Sequence, residues 1–132
     1  MQNLKPSRSG VLHRAGEDYL ETVLMLHKRK GMVRSVDVAR EMNFSKPSVS
    51  KAVSVLQQAG YLAVDNEHFL HLTEEGLKIA ERVYERHTFL TEFLIAIGVD
   101  PETAESDACM MEHDISPKTF ECLKEMRRKI QF

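Results

Sequence analysis

The stretch Cys109-Met110-Met111-Glu112-His113 gathers a thiol, a carboxylate and an imidazole within five residues. In a helix, side chains at i, i+3 and i+4 share a face, so these three would converge with no turn between them. Together they are the donors of a divalent transition-metal site. A solvated Glu-His pair with the cysteine on the buried edge of a helix has the same spacing, and that reading stays open. Donors of the same kind recur at Asp18, Glu21 and His87. Asp18 and Glu21 equally suit solvated acids near a helix N-terminus, where the macrodipole favours them. His87 equally suits a hydrogen-bonded histidine on an apolar helix face.

The elements that must position these groups belong to a chain of 132 residues, enough for one compact unit or two small ones sharing a core. Hydrophobic residues make up 42% and charged residues 29%, the balance of a soluble globular protein rather than a disordered one. No apolar run approaches the roughly 18 residues a bilayer span needs, so no membrane partner is expected. Residues 1–10 are polar and lack the apolar core of a secretory signal. Two cysteines, Cys109 and Cys122, form no disulfide framework, which suits a cytoplasmic protein with reduced thiols. Residues 1–72 hold 10 Lys and Arg against 7 Asp and Glu, whereas residues 73–132 hold 8 against 13. A basic first half on an acidic second half fits a nucleic-acid-binding module joined to something else.

Pro6, Ser7, Ser9 and Gly10 make residues 1–10 an arm opposed to regular structure. A first helix is expected from near Val11 to about Lys30, stopped by Gly31, with Leu20, Val23, Leu24 and His27 as its core stripe. Ser35 reads as the N-cap of a short helix over residues 36–42, and Ser45 as the N-cap of a second through about Ala59. Pro47 falls in that helix's first turn, where its missing N–H is harmless. Val49, Ala52, Val53 and Leu56 form the inward face and leave Lys46, Ser48, Ser50, Lys51 and Ser54 outward. A short helix, a tight turn and a longer helix with small polar and basic residues outward is the helix-turn-helix pattern. Residues 61–64 and 68–72, split by Asp65-Asn66-Glu67, read as a two-stranded wing, with His68 and His71 as surface or phosphate-facing side chains.

Thr73 should cap a long helix ending near Ile97 and Gly98, with Leu77, Ala80, Tyr84, Leu90, Leu94 and Ile97 as its buried stripe. Gly76 should cost it about 1 kcal/mol relative to alanine. Asp100-Pro101-Glu102 opens the helix expected to carry Cys109, Glu112 and His113, and Ser116-Pro117 opens a last one to Phe132. In that last helix Phe120, Leu123, Met126 and Ile130 suit core or subunit interface, and Cys122 a small buried residue. The fold class is therefore mainly α: a winged helix-turn-helix over residues 1–72, then a helical domain over residues 73–132.

Five segments together resemble the diphtheria-toxin-repressor family of metal-dependent transcription factors, and especially its short manganese-transport-regulator branch. They are Glu17-Asp18-Tyr19-Leu20-Glu21, residues 44–51, residues 84–87, Ile97-Gly98-Val99-Asp100, and residues 109–113. The resemblance implies a homodimer joined through the second domain, a double-stranded DNA operator as partner, and repression of metal-uptake genes when metal is abundant. Carried over by position, the ligands are Asp18, Glu21, His87, Cys109, Glu112 and His113, and the ion is Mn2+ or Fe2+. Such a cluster draws on three helices, the first of them in the DNA-reading half, and so would fix the separation of two recognition helices. Half-sites one duplex turn apart lie about 34 Å from each other, so loosely held heads bind poorly. An ion at roughly 100 times its dissociation constant for the competent state contributes about 2.7 kcal/mol of bias.

Three positions depart from the family pattern. Cys109 stands where manganese-responsive members carry a carboxylate, yet Asp18 stands where iron-responsive members carry methionine. Thr91, one turn after His87, replaces a frequent glutamate, which leaves an iron-type ancillary site incomplete. On DNA, Ser45, Lys46, Ser48, Ser50 and Lys51 are the reading candidates. Pro47 packs on base methyls by family analogy, and Arg34, Arg40 and the wing add backbone contacts. Two other readings stand beside this one: a winged-helix regulator indifferent to metal, and a metal-dependent hydrolase, for which no nucleophile-base pair or substrate loop is visible.

Overall fold

The computed structural model describes residues 14–130. The arm expected over residues 1–10, any helical start before Arg14, and the expected end of the last helix at residues 131–132 lie outside the described residues. Contacts divide the chain into two compact units, the first ending at Glu81 and the second beginning at Arg82.

In the first unit, α1 (Arg14–Lys30) ends at Gly31, whose φ of +87° suits a residue without a Cβ. Its face of Leu20, Val23, Leu24 and Leu26 is buried. Two short helices follow, α2 (Ser35–Met42) and α3 (Lys46–Gln58). The cap of α2 falls one residue earlier than expected, at Arg34. Its backbone N–H donates to the Asp37 carboxylate at 2.8 Å, which makes Ser35 the first helical residue. Val38 and Ala39 are the buried residues of α2, and Val36 sits at the surface. Asn43 turns the chain in the left-handed region (φ 57°), a conformation asparagine tolerates, and Ser45 then caps α3 by accepting from the Ser48 N–H at 3.3 Å. Val49, Ala52, Val53 and Leu56 are all buried, so the four inward positions expected of α3 form its packing face.

The wing is an antiparallel hairpin of β1 (Leu62–Val64) and β2 (Leu70–Leu72), in register Leu62 to Leu72 and Val64 to Leu70. Asp65 organises its turn: one carboxylate oxygen accepts from the Glu67 and Phe69 N–H groups at 2.9 Å, and the other meets His71 Nε2 at 2.7 Å. Leu70 N–H donates to Val33 at 2.7 Å, and both ring nitrogens of His27 lie within 2.9 Å of backbone carbonyls, those of Gly31 and Leu70. These bonds tie the wing to the end of α1.

The helix α4 (Glu74–Ala96) starts in this unit, where the Thr73 hydroxyl accepts from the Gly76 N–H at 3.1 Å and donates to the Gly60 carbonyl at 2.6 Å. A Cβ on Gly76 would lie 2.0 Å from the carbonyl oxygen of Tyr61. The glycine is thus required by the close approach of two backbones, and the propensity cost assigned from sequence is outweighed.

In the second unit α4 continues and is joined by α5 (Pro101–Met111) and α6 (Pro117–Ile130). Asp100 and Ser116 cap the latter two, accepting from the Thr103 N–H at 3.0 Å and the Thr119 N–H at 3.1 Å. The core is Phe89, Leu90, Ala108 and Phe120, with Phe93, Met111, Ile115 and Leu123 packed on it. Phe89 meets Phe120 edge-on at 5.4 Å between ring centroids. Several expectations are corrected. Leu77 and Ile97 are exposed, and Val83, Arg86 and Phe89 occupy the buried side of α4 instead. Cys122 is exposed rather than buried, because α6 turns Phe120 inward and leaves position 122 outside. Met126 and Ile130 are also exposed. Finally, α5 stops at Met111, so Glu112 is its C-cap residue and His113 lies in the turn beyond.

Replacing Gly76 with alanine should lower stability by about 1–3 kcal/mol or more, the cost of forcing atoms into packed space, where helix propensity alone would raise it by about 1 kcal/mol. Urea unfolding of the two proteins distinguishes the signs.

Candidate metal centre and DNA-reading face

Three side chains of the second unit meet at one point. His87 comes from the middle of α4, Cys109 from the last turn of α5, and Glu112 from its cap. His87 Nδ1 lies 2.9 Å from Glu112 Oε2 and 3.6 Å from Cys109 Sγ. One donor atom from each of the three falls within 4.8 Å of the others. On the other side of the same carboxylate, Oε1 lies 3.3 Å from His113 Nε2. The Glu112 side chain is fully buried (0% exposed), and that of His113 nearly so (2%). Cys109 is exposed, at the solvent edge of the group.

These residues fit a metal by the chemistry of the donor set. Donors about 2.0–2.3 Å from one ion stand roughly 3–4 Å apart, close to the 2.9 Å and 3.6 Å that separate His87 from Glu112 and Cys109. A buried carboxylate must be matched by a cation. With no metal present, a proton on His87 serves: the Cys109 thiol and the Glu112 carboxylate hold its pKa up to about 10, against the opposing effect of burial. Metal binding must displace that proton. The shared helical face expected for residues 109–113 is replaced by a helix end and the start of a turn.

On α1, in the first unit, Glu21 is buried and Asp18 is half-buried, so Glu21 is not the solvated acid that a helix N-terminus alone would suggest. Thr91 stands one turn beyond His87 and offers only a hydroxyl.

The exposed side of α3 carries Lys46, Pro47, Ser50 and Lys51, with Ser48 half-buried at its start. The hydroxyls of Ser45 and Ser48 are engaged with each other at 2.8 Å and in the cap, which leaves Lys46, Ser50 and Lys51 as the outward polar side chains of this group. Arg34 lies over the Phe69 ring at 4.2 Å and donates to the Glu67 carbonyl at 3.3 Å, so it braces the wing. Arg40 is exposed and pairs weakly with Asp37 at 3.7 Å. Arg86, outside the expected set, is buried and donates to the carbonyls of Glu112 and Ile115. Its signal in the sequence is a cation at position 86 on the spacing that joins Val83 to Leu90.

A winged helix-turn-helix preceding a helical unit with a cation-demanding donor cluster defines a metal-responsive DNA-binding regulator. The chain belongs to the iron-dependent repressor family: residues 11–70 match its N-terminal DNA binding domain and residues 73–132 its metal binding and dimerisation domain. It is 34% identical over 113 residues to the transcriptional regulator MntR of Escherichia coli O157:H7, covering 86% of this chain and 73% of that protein. It is 39% identical over 100 residues to the HTH-type transcriptional regulator MntR of Bacillus subtilis strain 168, covering 76% and 70%. Among solved structures, the manganese regulator SloR superposes with a TM-score of 0.77 at 25% identity over 86% of this chain, which spans only 53% of SloR. The family and these relatives are transcriptional regulators, not enzymes. Among the described residues, no helix is long and apolar enough to cross a membrane.

Because His87 has a folded-state pKa raised from 6.5 to about 10, its contribution to metal-free stability is complete below pH 6.5 and is lost as pH rises through about 10. The stability difference between the native protein and His87→Gln, measured in EDTA, should therefore shrink steadily from pH 6 to pH 10. A pH-independent difference would show that His87 carries no such proton.

Proposed function

We propose that this chain is a transcriptional repressor whose DNA binding requires Mn2+ or Fe2+, acting in the cytoplasm on genes of metal uptake. The observation that carries the reading is the buried Glu112 carboxylate, set between His87 and His113 with Cys109 at its edge. Asp18 and Glu21 of α1 are proposed as further ligands, carried over by position from the family resemblance. An ion held there supplies positive charge and fixed donor geometry. Cys109 and His87 provide the soft and borderline donors, and Glu112 and the α1 acids the hard ones. Ligands drawn from both α1 and the second unit would make the placing of the DNA-reading helix depend on occupancy. Lys46, Ser50 and Lys51 of α3 then meet the duplex, with Pro47 beside base methyls. Ser45 and Ser48 contribute by fixing the start of α3, and Arg34 by bracing the wing. Two copies joined through residues 73–132 present two such helices.

Duplexes selected from a random-sequence pool in the presence of Mn2+ or Fe2+ should be retained at least tenfold more tightly than in EDTA. Equal retention would leave a winged-helix regulator indifferent to metal. On the selected duplex, Lys51→Ala should weaken binding without changing the Mn2+ affinity of the DNA-free protein. Cys109→Glu should raise the affinity for Mn2+ relative to Fe2+, read by competitive titration under anaerobic conditions. An unchanged ranking would place the thiol outside the coordination sphere.

A further inference from the structure

We propose that Arg86 is a positioning residue of the metal centre: it sets the turn that presents Glu112 and His113 to His87. The inference rests on the reading of His87, Cys109 and Glu112 as metal donors.

The turn following α5 is where this geometry is least determined by helical hydrogen bonding. The last four carbonyls of a helix have no partner within it. Here the Ala108 carbonyl accepts from the Glu112 N–H at 3.0 Å, and the Met111 carbonyl from the Asp114 N–H at 3.1 Å. The next carbonyl, that of Glu112, accepts from Arg86 Nη1 at 3.1 Å, and the same nitrogen donates to the Ile115 carbonyl at 2.8 Å. One guanidinium nitrogen therefore closes both ends of residues 112–115, the segment that carries two of the donors. The guanidinium also lies 5.4 Å from the centroid of Phe120, in the first turn of α6. It is held on three sides by backbone and ring, and Arg86 is only 7% exposed.

Arg86 is the residue immediately before His87 on α4. The clamp on the Glu112 carbonyl and the imidazole facing the Glu112 carboxylate therefore share one stretch of helical backbone. A shift of the turn would move the carboxylate from His87 Nδ1, now 2.9 Å away, and the His113 ring with it. Arginine suits this place because a planar fork donates to two carbonyls from a single nitrogen while its face rests on an aromatic ring. A lysine ammonium is a point charge on a flexible stem and would hold the turn less strictly.

The test compares Arg86→Met, Arg86→Lys and Leu123→Ala, the last being a destabilised control that packs on the core of the same unit from α6. Mn2+ affinity is read from the electron paramagnetic resonance of unbound ion, and metal-free stability from thermal unfolding. The coordination sphere is read from the visible bands of the Co2+-loaded protein. Arg86→Met should bind Mn2+ about 10–100-fold more weakly, the usual cost of removing a residue that orients ligands. Arg86→Lys should fall between it and the native protein, and both should show altered Co2+ bands. Leu123→Ala should melt lower and keep its Mn2+ affinity within about twofold, as expected where packing alone is lost. Native affinity and native Co2+ bands in the Arg86 variants would overturn the proposal, as would a loss of affinity that merely tracks melting temperature across all three. Should Arg86→Met fail to fold, Arg86→Lys alone decides. Failure of the native protein to bind Mn2+ or Co2+ would instead overturn the metal reading itself.

Discussion

Everything in the second unit is arranged around one carboxylate that has no access to water. Removing an ionised side chain from solvent costs several kcal/mol even after relaxation, and the cost is met only by partners of opposite charge in good geometry. Glu112 has an imidazole on each side, and its own backbone carbonyl is held by a guanidinium. A neutral site would not need three cationic or protonatable groups around one acid. The surrounding core of Phe89, Leu90, Ala108 and Phe120 contributes by keeping α4, α5 and α6 close enough that these groups meet with water excluded. The site is a trap for positive charge, and the identity of that charge, proton or metal, is what varies.

The first unit solves a different problem, that of presenting a short helix rigidly. It does so with a core drawn from α1, α2, α3 and the wing, to which small-scale bonding adds precision. Ser45 and Ser48 fix the start of α3, Asn43 supplies the left-handed turn before it, and Asp65 collects the loop of the wing on a single side chain. His27 spans from the end of α1 to β2, and Gly76 lets the start of α4 lie against the Tyr61 carbonyl. Two elements whose backbones nearly touch leave little room for the helix to rock.

Much of this was legible from residue types because it depends on local rules. Ser45, Thr73, Asp100 and Ser116 act as caps through bonds to residues three positions on, and Gly31, Gly60 and Gly98 take positive φ where the helices stop. The buried face of α3 followed from spacing alone. Other features depend on partners distant in sequence. That Cys122 faces out is decided by which side of α6 meets Phe89, and periodicity leaves that open when hydrophobic residues flank both sides. Gly76 looks like a mere weakness in a helix until Tyr61 is placed beside it. Arg86 reads as an ordinary surface cation until the turn at Glu112 is known to lie within reach.

The donor set also narrows the choice of ion more than the count of ligands does. Imidazole nitrogen and carboxylate oxygen accommodate several divalent metals with little discrimination, and affinity for such sites rises along the first-row series from manganese toward copper. Selectivity must then come from ligand type and geometry. Cys109 is the one soft donor, and it stands at the exposed edge, whereas the hard donor Glu112 lies at the buried centre. A thiolate favours iron over manganese, but as an edge ligand it can be weakly engaged without disturbing the carboxylate and imidazoles behind it. On the proposed reading the arrangement separates two tasks: the buried acid with its histidines would secure a divalent cation of any kind, and the exposed thiol would bias which one is retained.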